Sequence, residues 1–120
     1  MDFIGVVLTG NQIYNKVNEI KKIRGVNAMP KVRAYVVISG RVQGVYYRAL
    51  TREQARELGV NGWVKNRPDR KVEGLFEGDR EEVDKLISWC RQGPPNAWVS
   101  GVDVRYEPYS GVFLSFSVRY

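Results

Sequence analysis

The chain has 120 residues, is 43% hydrophobic and 27% charged, and carries a formal net charge of +6. That length suits one domain, and the balance is that of an ordinary globular protein. The absence of histidine excludes histidine triads, histidine general bases and most transition-metal sites, and a single cysteine excludes an intrachain disulfide.

Residues 1–28 stand apart from the rest. Residues 3–8 form a short apolar run, which Gly10 and Asn11 break. Ile13, Val17, Ile20 and Ile23 share helical spacing, which predicts a short amphipathic helix stopped near Gly25 and Asn27. Two explanations stay open for this leader. It is either an appendage that packs on the domain or mediates oligomerisation, or a stretch translated from upstream of a true start at Met29. The intact mass of protein from its native cells separates the two.

The pattern is clearer from Lys31 onward. Residues 32–38 are β-branched and apolar, as in a buried strand. Residues 47–58 have the period of a helix, ended by Gly59. Residues 60–65 and 72–77 predict two strands of a hairpin, joined by the turn chemistry of Asn66, Arg67, Pro68 and Asp69. A second helix is expected from Asp79 to about Arg91, with Asp79 as N-cap and Glu82 completing a capping box. Cys90 shares helical spacing with Val83, Leu86 and Ile87, which predicts a buried thiol. Gly93, Pro94 and Pro95 stop this helix. Residues 98–106 and 113–120 alternate like strands, with Val102, Val104 and Tyr106 on one face, and are expected to close the sheet as a hairpin-like pair. The order β-α-β-β-α-β predicts an α+β fold: a two-layer, ferredoxin-like split βαβ sandwich with two helices on one face of a mainly antiparallel sheet.

The junction between the first strand and first helix draws attention. Gly40 and Gly44 bracket a loop, where they permit backbone angles and close approaches that larger residues block. Main-chain N–H groups at such a junction converge on an anion, and the helix N-terminus adds partial positive charge. Arg48 falls in the first helical turn, and helical side chains lean toward the N-terminus, so its guanidinium is expected over the loop. Taken alone, each residue also has a plainer reading. Asn66 suits a turn, Arg48 a solvated surface, Arg41 is a rival anion ligand, and Gln43 suits a loop stabiliser. Tyr46 and Tyr47 read as packing residues, and Trp63, Trp89 and Trp98 as core or rim.

The wording Gly40-Arg41-Val42-Gln43-Gly44-Val45-Tyr46-Tyr47-Arg48 resembles one signature of the acylphosphatase family. A second segment, Gly62-Trp63-Val64-Lys65-Asn66, with Asp69 and then Val72-Glu73-Gly74, resembles another. The resemblance covers residues 29–120 and leaves residues 1–28 outside. It implies the ferredoxin-like fold and the hydrolysis of acyl phosphates to carboxylate and phosphate, with no metal and no other cofactor. It implies that residues 41–47 (Arg41, Val42, Gln43, Gly44, Val45, Tyr46 and Tyr47) hold the phosphate mainly through main-chain N–H groups. Arg48 then matches the phosphate-binding arginine, and Asn66 the asparagine that orients the attacking water. The end, Val118-Arg119-Tyr120, also resembles family C-termini, which places the terminal carboxylate of Tyr120 near Arg48. One departure stands out: Arg70 and Lys71 follow Asp69 where members often carry glycine, which leaves that turn's shape open and adds charge favouring an anionic acyl portion.

Expected partners are an acyl phosphate and inorganic phosphate. No apolar run reaches the roughly 20 residues of a membrane span, and the N-terminus lacks a signal-peptide pattern. With one cysteine this predicts a cytoplasmic protein, expected to be a monomer unless the leader joins copies. Nucleic acid is the rival ligand for a basic ferredoxin-like sheet, but Lys71-Val72-Glu73-Gly74-Leu75-Phe76 lacks the exposed-aromatic pattern that RNA-binding sheets use. A regulatory domain that retains the anion site is a third reading.

Overall fold

The computed structural model describes residues 30–120. The expected helix over residues 13–23, and the leader as a whole, lie outside the described residues. Seven elements follow in order: β1 (Lys31–Arg41), α1 (Tyr47–Leu58), β2 (Asn61–Asn66), β3 (Val72–Asp79), α2 (Arg80–Gln92), β4 (Trp98–Glu107) and β5 (Phe116–Arg119). The strands form one sheet in the order β4-β1-β3-β2-β5. Three neighbouring pairs are antiparallel, and β2–β5 is parallel. This is the expected two-layer α+β, ferredoxin-like arrangement.

Side-chain period explains the layers. Ala34, Val36 and Ile38 alternate along β1 and are fully buried. Tyr47, Thr51 and Ala55 are the buried stripe of α1, and Val83, Leu86, Ile87 and Cys90 that of α2. These faces meet Val64, Val72 and Phe76 of the sheet in one apolar core. Cys90 is buried as expected, and burial pushes its thiol up to about 12, so it stays protonated and inert.

Two expectations are corrected. The last two strands do not form a hairpin: β4 lies at one edge of the sheet beside β1, and β5 at the other beside β2. The chain between them is held from below. Glu77, only 2% exposed, accepts from the N–H of Ser110 at 2.9 Å, the Ser110 hydroxyl at 2.7 Å and the N–H of Gly111 at 3.1 Å. Asn61 Nδ2 donates to the carbonyl of Phe113. The strand expected over residues 113–120 is therefore shorter, because its first residues serve this crossing. The capping box at Asp79 does not form either. Asp79 is the N-cap residue but makes no side-chain cap bond; its carboxylate takes the Lys31 ammonium at 2.7 Å, and Glu82 pairs with Lys85.

Strand directions position the site. β1 and β2 both run antiparallel to β3, and β5 runs parallel to β2. The C-terminal ends of β1, β2 and β5 therefore lie at one end of the sheet. Val72 of β3 pairs with Ile38 of β1 on one side and Asn66 of β2 on the other, so Asn66 stands level with the end of β1.

Candidate active site

The loop after β1 is shaped by close packing and by left-handed residues. Gly40 has φ 124°, and a Cβ there would meet the carbonyl oxygen of Trp98 at 2.2 Å, so only glycine lets β1 pass β4 this closely. Gly44 at φ 75° and Tyr46 at φ 61° are both left-handed, with Val45 between them. Alternation of this kind makes a nest, in which successive N–H groups face a common centre. Among the described residues, nothing accepts from the N–H groups of Gln43, Gly44, Val45 or Tyr46. Tyr46 is a non-glycine residue in the left-handed region and caps the N-terminus of α1 without a side-chain bond. Backbone strain of this sort concentrates at functional sites.

The helix that follows is fixed by Tyr47. Its hydroxyl donates to the Cys90 carbonyl at 2.6 Å, and its ring lies 5.7 Å from that of Trp89. Burial pushes its phenol far above the ordinary value, so it serves as an anchor between the helices and not as an acid or base. Tyr46 differs from the expected packing residue: it is 80% exposed. Trp98 is likewise exposed.

A cavity of about 410 Å³ opens where the three strand ends meet α1. Val42, Gly44, Tyr46, Tyr47 and Arg48 line it from the loop and first helical turn, Asn66 from the end of β2, and Val118 and Tyr120 from the last strand and C-terminus. The structure thus brings together Arg48 and Asn66, which lie on different elements. The Oδ1 of Asn66 is buried and has no hydrogen-bond partner among the described residues. Arg48 donates to the carbonyl of Arg119 at 3.4 Å, and its guanidinium lies 5.0 Å from the centre of the Tyr120 ring. The contact expected from the Tyr120 carboxylate is therefore made by the Tyr120 ring and the preceding carbonyl, because the last strand runs beside α1 and presents them first.

Arg41, Gln43 and Val45 of the loop do not line this cavity. Arg41 and Gln43 border a second cavity of about 400 Å³, together with Gly40, Val42 and Arg70. Val45 packs against the core. Gln43 is a stabiliser, as its plainer reading held: its Nε2 donates to the carbonyls of Arg67 and Lys71, both at 2.9 Å. The open turn shape is resolved by Arg70 at φ 70°, whose N–H reaches the Arg67 carbonyl. Sequence reasoning missed Arg52, which also lines the main cavity; its helical spacing from Arg48 was the available signal.

Two helices on one face of a five-stranded mixed sheet, with an arginine-lined cavity at the strand ends, define a small ferredoxin-like α+β domain. The model of the family described as Acylphosphatase matches residues 34–118. The chain is 56% identical over 92 residues to an acylphosphatase from Pelotomaculum thermopropionicum, covering 77% of this chain and all of that one. It is 57% identical over 83 residues to one from Chloroflexus aurantiacus, covering 69% of this chain and 90% of the relative. Among solved structures, an acylphosphatase from Bacillus subtilis superposes with a TM-score of 0.72 at 30% identity, covering 74% of this chain and 99% of that one. One from Coxiella burnetii superposes with a TM-score of 0.71 at 37% identity, covering 74% and 93%. The chain belongs to the acylphosphatase family, and with it to the hydrolytic enzymes.

Proposed function

We propose that this protein hydrolyses acyl phosphates to a carboxylate and inorganic phosphate without a metal ion. The observation that carries the reading is the meeting, in one cavity, of Arg48, a nest of main-chain N–H groups and the buried Oδ1 of Asn66, which has no donor among the described residues. A dianionic phosphoryl group needs converging donors, and the loop N–H groups with the Arg48 fork supply them. A buried carbonyl oxygen without a donor suits the O–H of a water. Asn66 accepts from that water with Oδ1 and keeps its amide to donate.

The water attacks phosphorus as the bond to the acyl oxygen breaks, and the electron pair leaves with the carboxylate. Carboxylate is a good leaving group, so no strong acid is required. Positioning and charge stabilisation carry phosphoryl transfer, and Arg48 and the loop neutralise the charge spread on the equatorial oxygens. The cavity lining among the described residues carries no carboxylate side chain, and asparagine is a poor base. The proton of the attacking water passes to a phosphate oxygen.

The enzyme works in the cytoplasm as a monomer on small molecules, and light scattering checks the monomer. The sheet suits nucleic acid poorly: a stacking base would have to displace Arg119, 4.8 Å from the centre of the Trp63 ring, and Arg105, 5.0 Å from that of Tyr35. The deciding measurement is hydrolysis of benzoyl phosphate in EDTA. Turnover by the metal-free protein is expected, and a folded wild type that releases no phosphate overturns the reading.

A further inference from the structure

Arg48, Arg52 and Arg56 stand at spacings of four along α1, so they form one stripe. The stripe faces β5, whose carbonyls take its two ends. Arg48 donates to Arg119 and Arg56 to Phe116, the latter at 3.2 Å. Arg52 lies between them and donates to neither. Among the described residues its buried Nε has no hydrogen-bond partner, and no carboxylate pairs with it. Like charges four apart on a helix repel, and a buried unpaired guanidinium N–H costs stability. Such a local violation points to an anion that arrives with the ligand.

The phosphate is not that anion. Arg48 and the loop N–H groups already match its charge, and Arg52 sits one turn deeper along α1, about 6 Å from Arg48 along the axis. Both arginines nevertheless line the same cavity. Arg70, the charge that the sequence alone associates with the acyl portion, borders the second cavity instead.

We infer that Arg52 receives a second anionic group on the acyl portion, so that the preferred substrates are acyl phosphates of dicarboxylic acids. The inference rests on the acyl phosphate hydrolysis proposed above. Arg52 is a specificity-determining residue in it: the phosphoryl end seats at the loop, and a carboxylate several ångströms along the acyl group meets the Arg52 guanidinium.

The test compares 3-carboxybenzoyl phosphate with benzoyl phosphate, in wild type, Arg52→Gln and Arg52→Lys. Wild type is expected to favour the carboxylated substrate in kcat/KM. Arg52→Gln should lower that preference about tenfold, the worth of one charge-assisted hydrogen bond, and Arg52→Lys should restore part of it. Taking the ratio of two substrates in each protein cancels any general loss of fold or of phosphate binding. A wild type without the preference, or a loss of equal size on both substrates, overturns the assignment. Calorimetry with the corresponding non-hydrolysable acyl phosphonates runs alongside. If neither acyl phosphate is turned over, the hydrolase reading fails, while tighter binding of the carboxylated phosphonate that depends on Arg52 still upholds the anion site and equal binding sinks it.

Discussion

The side-chain amide of Gln43 donates to the main-chain carbonyl of Lys71 at 2.9 Å, and the same nitrogen reaches the Arg67 carbonyl at the same distance. Both amide hydrogens are thereby used. The first residue belongs to the loop after β1, the second to the turn between β2 and β3. This bridge ties the loop proposed to hold phosphate to the turn that begins just after Asn66.

Gln43→Ala removes both bonds, while the Arg67 and Lys71 carbonyls keep their main-chain donors, the N–H groups of Arg70 and Arg67. A loss of about 1–3 kcal/mol in stability is expected, the net worth of two hydrogen bonds. The looser register between loop and turn should also lower kcat, since reacting groups must be held closely. Urea unfolding and steady-state kinetics read the two effects, and a variant as stable and active as wild type would remove the bridge from the argument.

Arg48 and Asn66 should fail differently. Arg48→Ala deletes a preorganised cationic donor and should reduce turnover on the order of 10²-fold or more, with weaker inhibition by inorganic phosphate. Asn66→Ala should lower kcat and leave phosphate inhibition near wild type, because its orphaned oxygen is assigned to water. Equal loss of phosphate affinity in both variants contradicts this division.

Arg70 holds φ 70° in an exposed turn. A side chain in the left-handed region costs about 1–2 kcal/mol, whereas glycine adopts it freely but gains unfolded-chain entropy. Arg70→Gly should therefore stabilise the domain by a net of about 0.5–1 kcal/mol. Thermal unfolding measures it, and an unchanged or lower Tm would show that the turn carries no strain.

Alkaline stability should follow the buried acids. Burial is the main cause that raises Tyr47, Tyr35 and Tyr106 above their ordinary value of 10.0, and Cys90 from 9.0 to about 12. Each group is held neutral by the fold. Its contribution is complete below its unfolded pKa and is lost as pH climbs toward the folded one. The contribution of these groups should thus be level below pH 9 and fall above it, first through Cys90 and then through the tyrosines. Tyr47→Phe should lose about 1 kcal/mol at neutral pH with its hydrogen bond, yet decline less steeply above pH 10. Denaturation curves across that range show it, and identical slopes would rule Tyr47 out as a contributor.

The local elements and the family were legible in the sequence. Residues 47–58 have a clear helical period and a glycine after them, and α1 has those same bounds. The β-branched runs and the turn residues after Asn66 placed β1, β2 and β3 within a few residues. These signals are local: period and turn chemistry act through neighbours along the chain. The two segments that resemble the family signatures contain Arg48 and Asn66, which line one cavity.

What the tertiary structure alone decided is which strands are neighbours and which polar groups have partners. Alternation in β4 and β5 marks a buried face but not an adjacent strand, so the expected hairpin became two opposite edges joined by the Glu77-held crossing. The capping pattern at Asp79 yielded to Lys31, far away in sequence. Arg48, Arg52 and Arg56 look equivalent as a sequence stripe. Only the packing of β5 against α1 satisfies the outer two and leaves the Nε of Arg52 without a partner among the described residues, because hydrogen bonds between distant segments depend on where the chain returns, and local propensity carries no record of that return.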